Sequence, residues 1–587
     1  MSTAQIRQIN LQVMWDRLIA VAEEQAQSLI RSAFSVTTRE AADVSAGVFD
    51  LQGRMIAEAI TGTPGHVNSM AMSVGHFLKK FPLDSMRDGD VYVTNDPWLG
   101  TGHLPDLTVV TPAYKNGAIV ALFACTSHLV DIGGRGLTVE CREIFEEGLR
   151  LPILRLIEAG EMQEAVRDII CANVRDPTAV LGDIYSLAAC NDTGSARLVA
   201  MMDEFDIDDL QGLANHIIER SRRGSLDIIS QIPSGSYKNT MDIDGFDDPI
   251  RLSVTVTVGS DGVDIDFSGS SGQSEYAINS PMCYTEAYAS FGAKCLIYPH
   301  IPNNAGSLSV VRVTAPRNTI VNAIDPAPVG LRHIVGQMLP DVVMGALHQA
   351  VADWAPAEGA SAIWPLFLMG GPGRVPGPHK LPADAVRFSA LSIHAGGSGA
   401  RPFMDGLSAT AFPSGVRNVP IEVTEAMYPL VCWRKEYLVD SGGAGATRGG
   451  LGQFMEIGHL DQHTPFAFSG VYDRVDHPAR GREGGCDGGA GAVLLRSGAR
   501  LKSKGAQAVP AGDRLVLKMP GGGGLGDPLT RDVSKVLEDV VNGLVSRGSA
   551  DKLYGVIIGD DGLLDQHATD LRRDRAKPDE TVAEPLA

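Results

Sequence analysis

The chain has 587 residues, too many for one simple core, so two to four lobes are expected. With 44% hydrophobic and 20% charged residues it has the composition of an ordinary globular protein, and no apolar run nears the ~18 residues a membrane helix needs. A net charge of −20 repels nucleic acid and anionic membranes, so neither is expected as a partner.

The opening MSTAQIRQINLQVMWDRL lacks the basic-then-apolar layout of a secretory signal. The eight cysteines are scattered with no CxxC, as suits reduced thiols, and a cytoplasmic location is expected. Apolar positions at Ile6, Ile9, Val13, Leu18, Ile19, Ala22 and Leu29 recur at helical period, which predicts a long amphipathic helix over 4–31. AGVFDLQGRMIAEA (46–59) reads as two short strands about a Leu51-Gln52-Gly53 turn. Strand-type sequence dominates 91–131, and residues 160–235 read as helical. Strands return over 250–268, followed by helices in AYASFGAKCLIYPHIP and over 335–354. Beyond 365 the glycine density rises steeply, which argues for turns and close backbone approaches over helix. A last helix is expected in TRDVSKVLEDVVNGLVSRG, then a disordered charged tail. The fold class is α+β, multi-lobed, with an N-terminal helix and a glycine- and strand-rich C-terminal half. The expected regions are 1–240, 241–365, 366–560 and a tail over 561–587.

Two stretches share a pattern: GTGHLPDLTVV (100–110) and TSHLVDIGG (126–134) each hold His-x-x-Asp, as His103 with Asp106 and His128 with Asp131. Between them Asn116-Gly117 joins two strand-like runs, the strongest short hairpin signal. Both tetrads therefore fall at the same end of one hairpin. With a two-residue loop Asp106 faces Ser127, and Asp106 and His128 point to opposite faces. A three-residue loop makes them diagonal neighbours on one face, within reach of a shared ion. Pro105 should interrupt the ladder, which places His103 and Asp106 on a turn entering the strand. Two imidazoles with one or two carboxylates suit Mn²⁺, Zn²⁺ or Fe²⁺ and fit Ca²⁺ poorly. The residues alone leave a second possibility open, in which each His caps a turn and each Asp satisfies loop amides.

Elsewhere Arg39, Glu40 and Asp43 read as a helix surface or salt-bridged cap, and Asp96 as a turn carboxylate beside the first His. CREIFEEGLRLP (141–152) reads as a solvated acidic helix face. Ser127, Cys125 and Ser441 lie in no nucleophile-elbow pattern. No GxxxxGK[ST] and no strand-borne GxGxxG is found, so ATP, if consumed, has no place in this chain. Arg448 in GATRGGLG could hold an anion, but turn glycines explain that stretch as well.

NDPWLGTGHLPDLTVV, HLVDIGG, EEGLRLP, DSGGAGATRGGLG and PGGGGLGDPLTRD resemble, in this order, the hydantoinase B/oxoprolinase family, over about residues 8–560. That family includes B subunits of ATP-dependent hydantoinases and lactamases, the C-terminal half of 5-oxoprolinase, and the alpha subunits of acetone and acetophenone carboxylases. The resemblance implies a metal site at His103, Asp106 and His128, with Asp131, Asp96 and Glu40 in neighbouring motifs. It also implies a separate A-type subunit of actin-like ATPase fold that binds ATP and Mg and phosphorylates the substrate oxygen. The chain departs from the common form beside the site, with Trp98 and then Gly100-Thr101-Gly102 before His103, and Arg135-Gly136-Leu137 after the second tetrad.

From these residues and the resemblance, the expected function is metal-assisted attack of water on a cyclic amide phosphorylated by the partner. His103, Asp106 and His128 are the expected ligands of one divalent transition metal (Mn or Zn, or Fe), with Asp131 or Asp96 as base or orienting group. A hetero-oligomer such as α2β2 is expected, acting on a small molecule. The alternatives are an ATP-dependent ketone carboxylase subunit and a non-catalytic scaffold for the ATPase.

Overall fold

The computed structural model describes residues 3–379, 381, 382 and 384–576. Helix α1 (Thr3–Ser32) buries Trp15, Leu18, Ala22, Ala26 and Leu29 along one stripe, as the helical period predicts. A one-turn α2 (Val36–Arg39) leads into β1 (Val44–Phe49), which turns through Gly53 into β2 (Met55–Glu58). Then come α3 (Pro64–Lys80), β3 (Val91–Thr94), β4 (Asp106–Lys115), β5 (Ala118–His128), α4 (Ile144–Glu147), β6 (Leu154–Glu158) and β7 (Glu161–Met162). These seven strands form one antiparallel sheet in the order β2-β1-β5-β4-β3-β6-β7. Helices α5 (Glu164–Asn173), α6 (Pro177–Glu204) and α7 (Gln211–Ile229) follow.

The central strands are buried on both faces, so their sequence is continuously apolar instead of alternating. Phe123 and Cys125 face the core shared with α1 and α6, while Leu122 and Ala124 face the core shared with α3. α1 and α6 pack against each other over the first face, where the Gln25 amide donates to Ala124 O and to Asn191.

A second sheet holds β8 (Gly235–Ile243), β9 (Ile250–Gly259), β10 (Gly262–Asp266) and, parallel to β10, β11 (Val311–Thr314). It is backed by α8 (Met282–Ile297), α10 (His333–Gly336) and α11 (Leu339–Leu347), while α9 (Ala305–Leu308) packs on α7. β8 begins before residue 240, so the first expected boundary cuts a strand. The helix expected over 335–354 stops at Leu347.

Beyond residue 363 two four-stranded sheets share one core. One is ordered β13 (Phe388–His394), β12 (Trp364–Gly370), β16 (Phe466–Val471), β18 (Lys504–Val509). The other is ordered β14 (Leu430–Tyr437), β15 (Gln453–His459), β19 (Leu515–Lys518), β17 (Ala492–Leu495), with α12 (Ile421–Met427) before it. The glycine runs make a layer of backbone packed on backbone. Gly450 N donates to Ser398 O, Gly522 N to Gly450 O, Gly443 N to Gly522 O and Ala400 N to Gly523 O. A Cβ at Gly521 would lie 1.7 Å from Ser441 O, and one at Gly449 1.9 Å from Gly522 O. Buried Arg531 and Arg448 share Asp539 beside this layer, and Arg531 also grips Asp405, so Arg448 serves an internal ion-pair network.

The helix expected over 530–548 is two helices, α13 (Val533–Val541) and α14 (Arg547–Tyr554), parted at Gly543, whose φ is +69°. The tail expected to be disordered carries α15 (Gln566–Ala576), and residues 577–587 lie outside the described residues. All eight cysteines are free thiols, and among the described residues no helix is long and apolar enough to cross a membrane.

Candidate metal centre

The hairpin keeps the two-residue loop, with Lys115 opposite Ala118, and Asn116 and Gly117 at φ 51° and 82°. Yet Asp106 does not face Ser127. A bulge inserts Val120, since Tyr114 pairs with Ile119 but Ala113 with Ala121. The extra residue shifts the register by one, so Asp106 pairs directly with His128 on one face. Neither loop length alone gives this register.

Asp106 opens β4 and His128 closes β5, while His103 stands on the preceding turn, where Pro105 stops the ladder. Asn95 pins that turn by donating to Leu104 O and Leu149 O and accepting from Leu151 N. His103, Asp106 and His128 are all buried and bring one ligand atom each within 4.8 Å of one another. Asp106 Oδ1 lies 2.7 Å from His103 Nε2 and 3.1 Å from His128 Nδ1.

The other carboxylate oxygen is held by three groups that local motifs did not mark. Thr101 Oγ1 donates to Oδ2 at 2.7 Å, His66 Nε2 lies 2.9 Å away, and the buried Arg332 guanidinium donates to it as well. Arg332 Nε also donates to Thr101 O, and the guanidinium stacks over Tyr284 at 4.0 Å. His66 lies near the start of α3, beside Asp43 at 3.6 Å.

Burial opposes charge on Asp106, but His66 and Arg332 outweigh it and hold the carboxyl well below its usual range. Burial also opposes charge on His66, yet Asp106 and Asp43 raise its pKa. His103 is pushed down to about 4 by burial and by Arg332, so its ring is neutral at pH 7. His333 follows, at about 3 for the same two reasons.

The His103 tautomer follows from its outer partner. Nδ1 lies 2.8 Å from Gly330 O, an acceptor only, so Nδ1 carries the proton and Nε2 the lone pair. That lone pair faces Asp106 Oδ1 with no hydrogen bond between them. Two lone pairs turned toward each other in a buried site are the arrangement a cation resolves, and a carbonyl behind the imidazole is the usual outer support of a metal-binding His. The donor set fits a divalent transition ion.

Gly330 is held in turn by Glu147, whose Oε1 accepts from Val329 N at 2.7 Å and from Gly330 N at 2.8 Å. Glu147 is therefore no solvated helix residue, although α4 carries it. It is buried, and burial raises its pKa to about 8 against the two N–H groups.

Asp131 and Asp96, expected as base or orienting groups, are not brought into the cluster. Asp131 accepts from Gly133 N and pairs with Arg175 at 2.7 Å. Asp96 caps Trp98 N and pairs with Arg150 at 2.7 Å, which also grips Asp325. Glu40 pairs with Arg39. Of that segment only Asp43 reaches the site, lining a cavity of about 50 Å³ over the cluster. His66, His103, His128 and Arg332 line its floor, and the far wall comes from β12 and β13.

The family model of hydantoinase B/oxoprolinase matches residues 7–528. The chain is a member of the hydantoinase B/oxoprolinase family. The caprolactamase subunit beta of Pseudomonas jessenii is 29% identical over 96% of this chain and 98% of its own. The crystal structure of the ATP-dependent caprolactamase from that organism superposes with a TM-score of 0.85 at 26% identity, over 96% of this chain and 99% of that one. The 5-oxoprolinase of Dictyostelium discoideum is 26% identical over 89% of this chain, which spans 41% of that longer protein. An acetone carboxylase structure has a TM-score of 0.81 over 97% of this chain and 82% of its own, at 18% identity, a likeness of fold alone.

Proposed function

We propose that this member of the hydantoinase B/oxoprolinase family is the B-type subunit of an ATP-dependent hydrolase of cyclic amides. The observation that carries the proposal is the buried carboxylate of Asp106, flanked on one oxygen by His103 and His128 and facing a cavity. The relatives of greatest coverage support the choice: one is named a caprolactamase subunit beta and its structure an ATP-dependent caprolactamase. The sequence holds no GxxxxGK[ST] motif, and an A-type partner would bind ATP with Mg and phosphorylate the amide oxygen. The two chains would form a hetero-oligomer such as α2β2. Water then adds to the activated carbon, the C–N bond breaks and the nitrogen takes a proton, leaving an acyl phosphate that a second water hydrolyses to carboxylate and inorganic phosphate.

His103, Asp106 and His128 would hold one divalent transition metal, Mn or Zn or Fe. When bound, such an ion supplies Lewis acidity, easing loss of a proton from water and offsetting negative charge on oxygen. The chain's own groups do the positioning. Gly330 O keeps the proton of His103 on Nδ1, while Thr101, His66 and Arg332 occupy Asp106 Oδ2 and so turn Oδ1 to the histidines. The burial of the whole floor keeps bulk water from competing.

The test is the chain co-purified with its partner, assayed for ATP-dependent ring opening and for metal. About one equivalent of transition metal per chain is expected, and less than about a tenth would remove the site. His128→Ala should abolish metal and ring opening while the complex still copurifies. If that variant retains activity, the chain is a scaffold, and bicarbonate-dependent product would make it a carboxylase subunit instead.

A further inference from the structure

The wall of the cavity opposite the cluster is built by one face of the β12–β13 ladder. Pro365 pairs with Ile393 and Phe367 with Leu391, so all four side chains share a face. The other face, with Trp364, Leu366 and Leu368, fills the C-terminal core. This second face is hydrocarbon as well: Phe367 packs on the core of the second sheet, and Leu391 and Ile393 pack with Ala41, Val416 and Val419. Phe367 and Leu391 are only half-buried and line the cavity. Val416 and Leu137 extend the same surface. Among the described residues, Arg332 is the one lysine or arginine lining the cavity, and its Nε and Nη2 are already committed to Thr101 O and Asp106. Among the described residues no charged side chain comes from the wall itself.

We propose that this wall is the specificity subsite, and that the substrate is a neutral cyclic amide whose ring or ring substituent is hydrocarbon, not one bearing a ring carboxylate. The inference rests on the hydrolase function proposed above. A lactam lying with its amide toward Asp106 would place the rest of its ring against Phe367, Leu391 and Ile393. Each methylene so covered favours binding by roughly fourfold. A carboxylate in the same place would leave water for a surface with no cation to receive it.

The experiment gives the complex with its ATPase partner ε-caprolactam, 5-isopropylhydantoin or 5-oxoproline, and follows both ring opening with ATP and equilibrium binding without it. The better hydrocarbon substrate should exceed 5-oxoproline in kcat/KM by at least about 100-fold. Leu391→Arg, which adds a cation to the wall, should move that ratio toward 5-oxoproline by about tenfold or more. The subsite is overturned if 5-oxoproline is bound or opened as well as the others, or if folded Leu391→Arg leaves the ratio unchanged. Should that variant misfold, Leu391→Ala decides: a KM for the hydrocarbon substrate raised about tenfold at constant kcat supports the wall, and an unchanged KM overturns it. If no cyclic amide is opened with ATP, the proposed function falls, while the binding comparison still decides the subsite.

Discussion

Around Asp106 the chain converges five side chains on one carboxylate, whereas its glycine runs between residues 396 and 526 lay backbone on backbone with scarcely a side chain between. In the first region specificity lies in functional groups: each His, Thr or Arg meets Asp106 through its own polar atom, and each can be exchanged and read separately. In the second it lies in the absence of atoms, because the glycine segments approach to distances no Cβ tolerates. The two regions should therefore fail differently. The candidate metal centre should lose chemistry while the fold persists, and the glycine layer should lose the fold outright.

The largest effect is expected in the glycine layer. Gly521→Ala puts a methyl 1.7 Å from Ser441 O, and both partners are backbone with no rotamer to give way. A loss above about 5 kcal/mol, or no soluble protein, is expected in chemical denaturation. A soluble variant within about 1 kcal/mol of the parent would break the contrast at once. Asp106→Ala comes next, measured without metal. It strands the buried Arg332 guanidinium beside His66, and removing one member of a buried pair costs about 3–5 kcal/mol. A loss under about 1 kcal/mol would mean that Asp106 is held no more firmly than a surface ion pair.

Asp473 tests the junction between the second sheet and the C-terminal half. It is fully buried, accepts from Asp244 N, and lies 3.1 Å from Lys504 Nζ. Burial pushes its pKa up to about 6, with Lys504 opposing and Asp244 assisting. Its folded pKa thus exceeds the ordinary value, so folding retains the proton. That contribution is complete below about pH 4 and is lost as pH rises through 6, a change of about 3 kcal/mol. The difference in unfolding free energy between the parent and Asp473→Asn should show this slope, and a difference constant from pH 4 to 7 would contradict it.

Glu147→Ala should act more gently. The Val329 and Gly330 N–H groups lose their acceptor, and the carbonyl holding His103 in its tautomer is freed to move. Loss of such an outer support lowers metal affinity about 10- to 100-fold, read by chelator competition. Glu147→Gln keeps an acceptor oxygen and should lose less. Equal affinity in all three proteins would show that Gly330 is fixed by other contacts.

What the sequence disclosed follows the same division. The Asn116-Gly117 turn, the two tetrads and the helical periods are local signals, and they located the hairpin and the trio His103, Asp106 and His128. The Val120 bulge that sets their register left no such mark, because Ile119-Val120-Ala121 reads as uninterrupted strand. His66, Arg332 and Glu147 reach the site only through the docking of α3 and of the 329–333 segment, so no spacing near the tetrads announces them. Asp131 completes the repeat by eye, yet the chain turns it toward Arg175. The glycine runs were legible as close approaches, but not which segments approach, since partners such as Ser398, Gly450 and Gly522 are far apart in sequence.

The smallest effect sharpens the comparison most directly, because it uses the same chemical change as the largest. Gly75 lies inside α3, where an added Cβ meets nothing within 4 Å, and its φ is not in the left-handed region. Nothing in the folded state objects to a methyl there, and glycine in a helix interior is entropically unfavourable. Gly75→Ala should therefore stabilise by about 0.5–1 kcal/mol, seen as a higher denaturation midpoint with an unchanged slope. One methyl group would thus raise stability on α3 and abolish the fold at Gly521. If Gly75→Ala instead destabilises, a methyl on α3 meets packing too, and the two regions differ less than their contacts indicate.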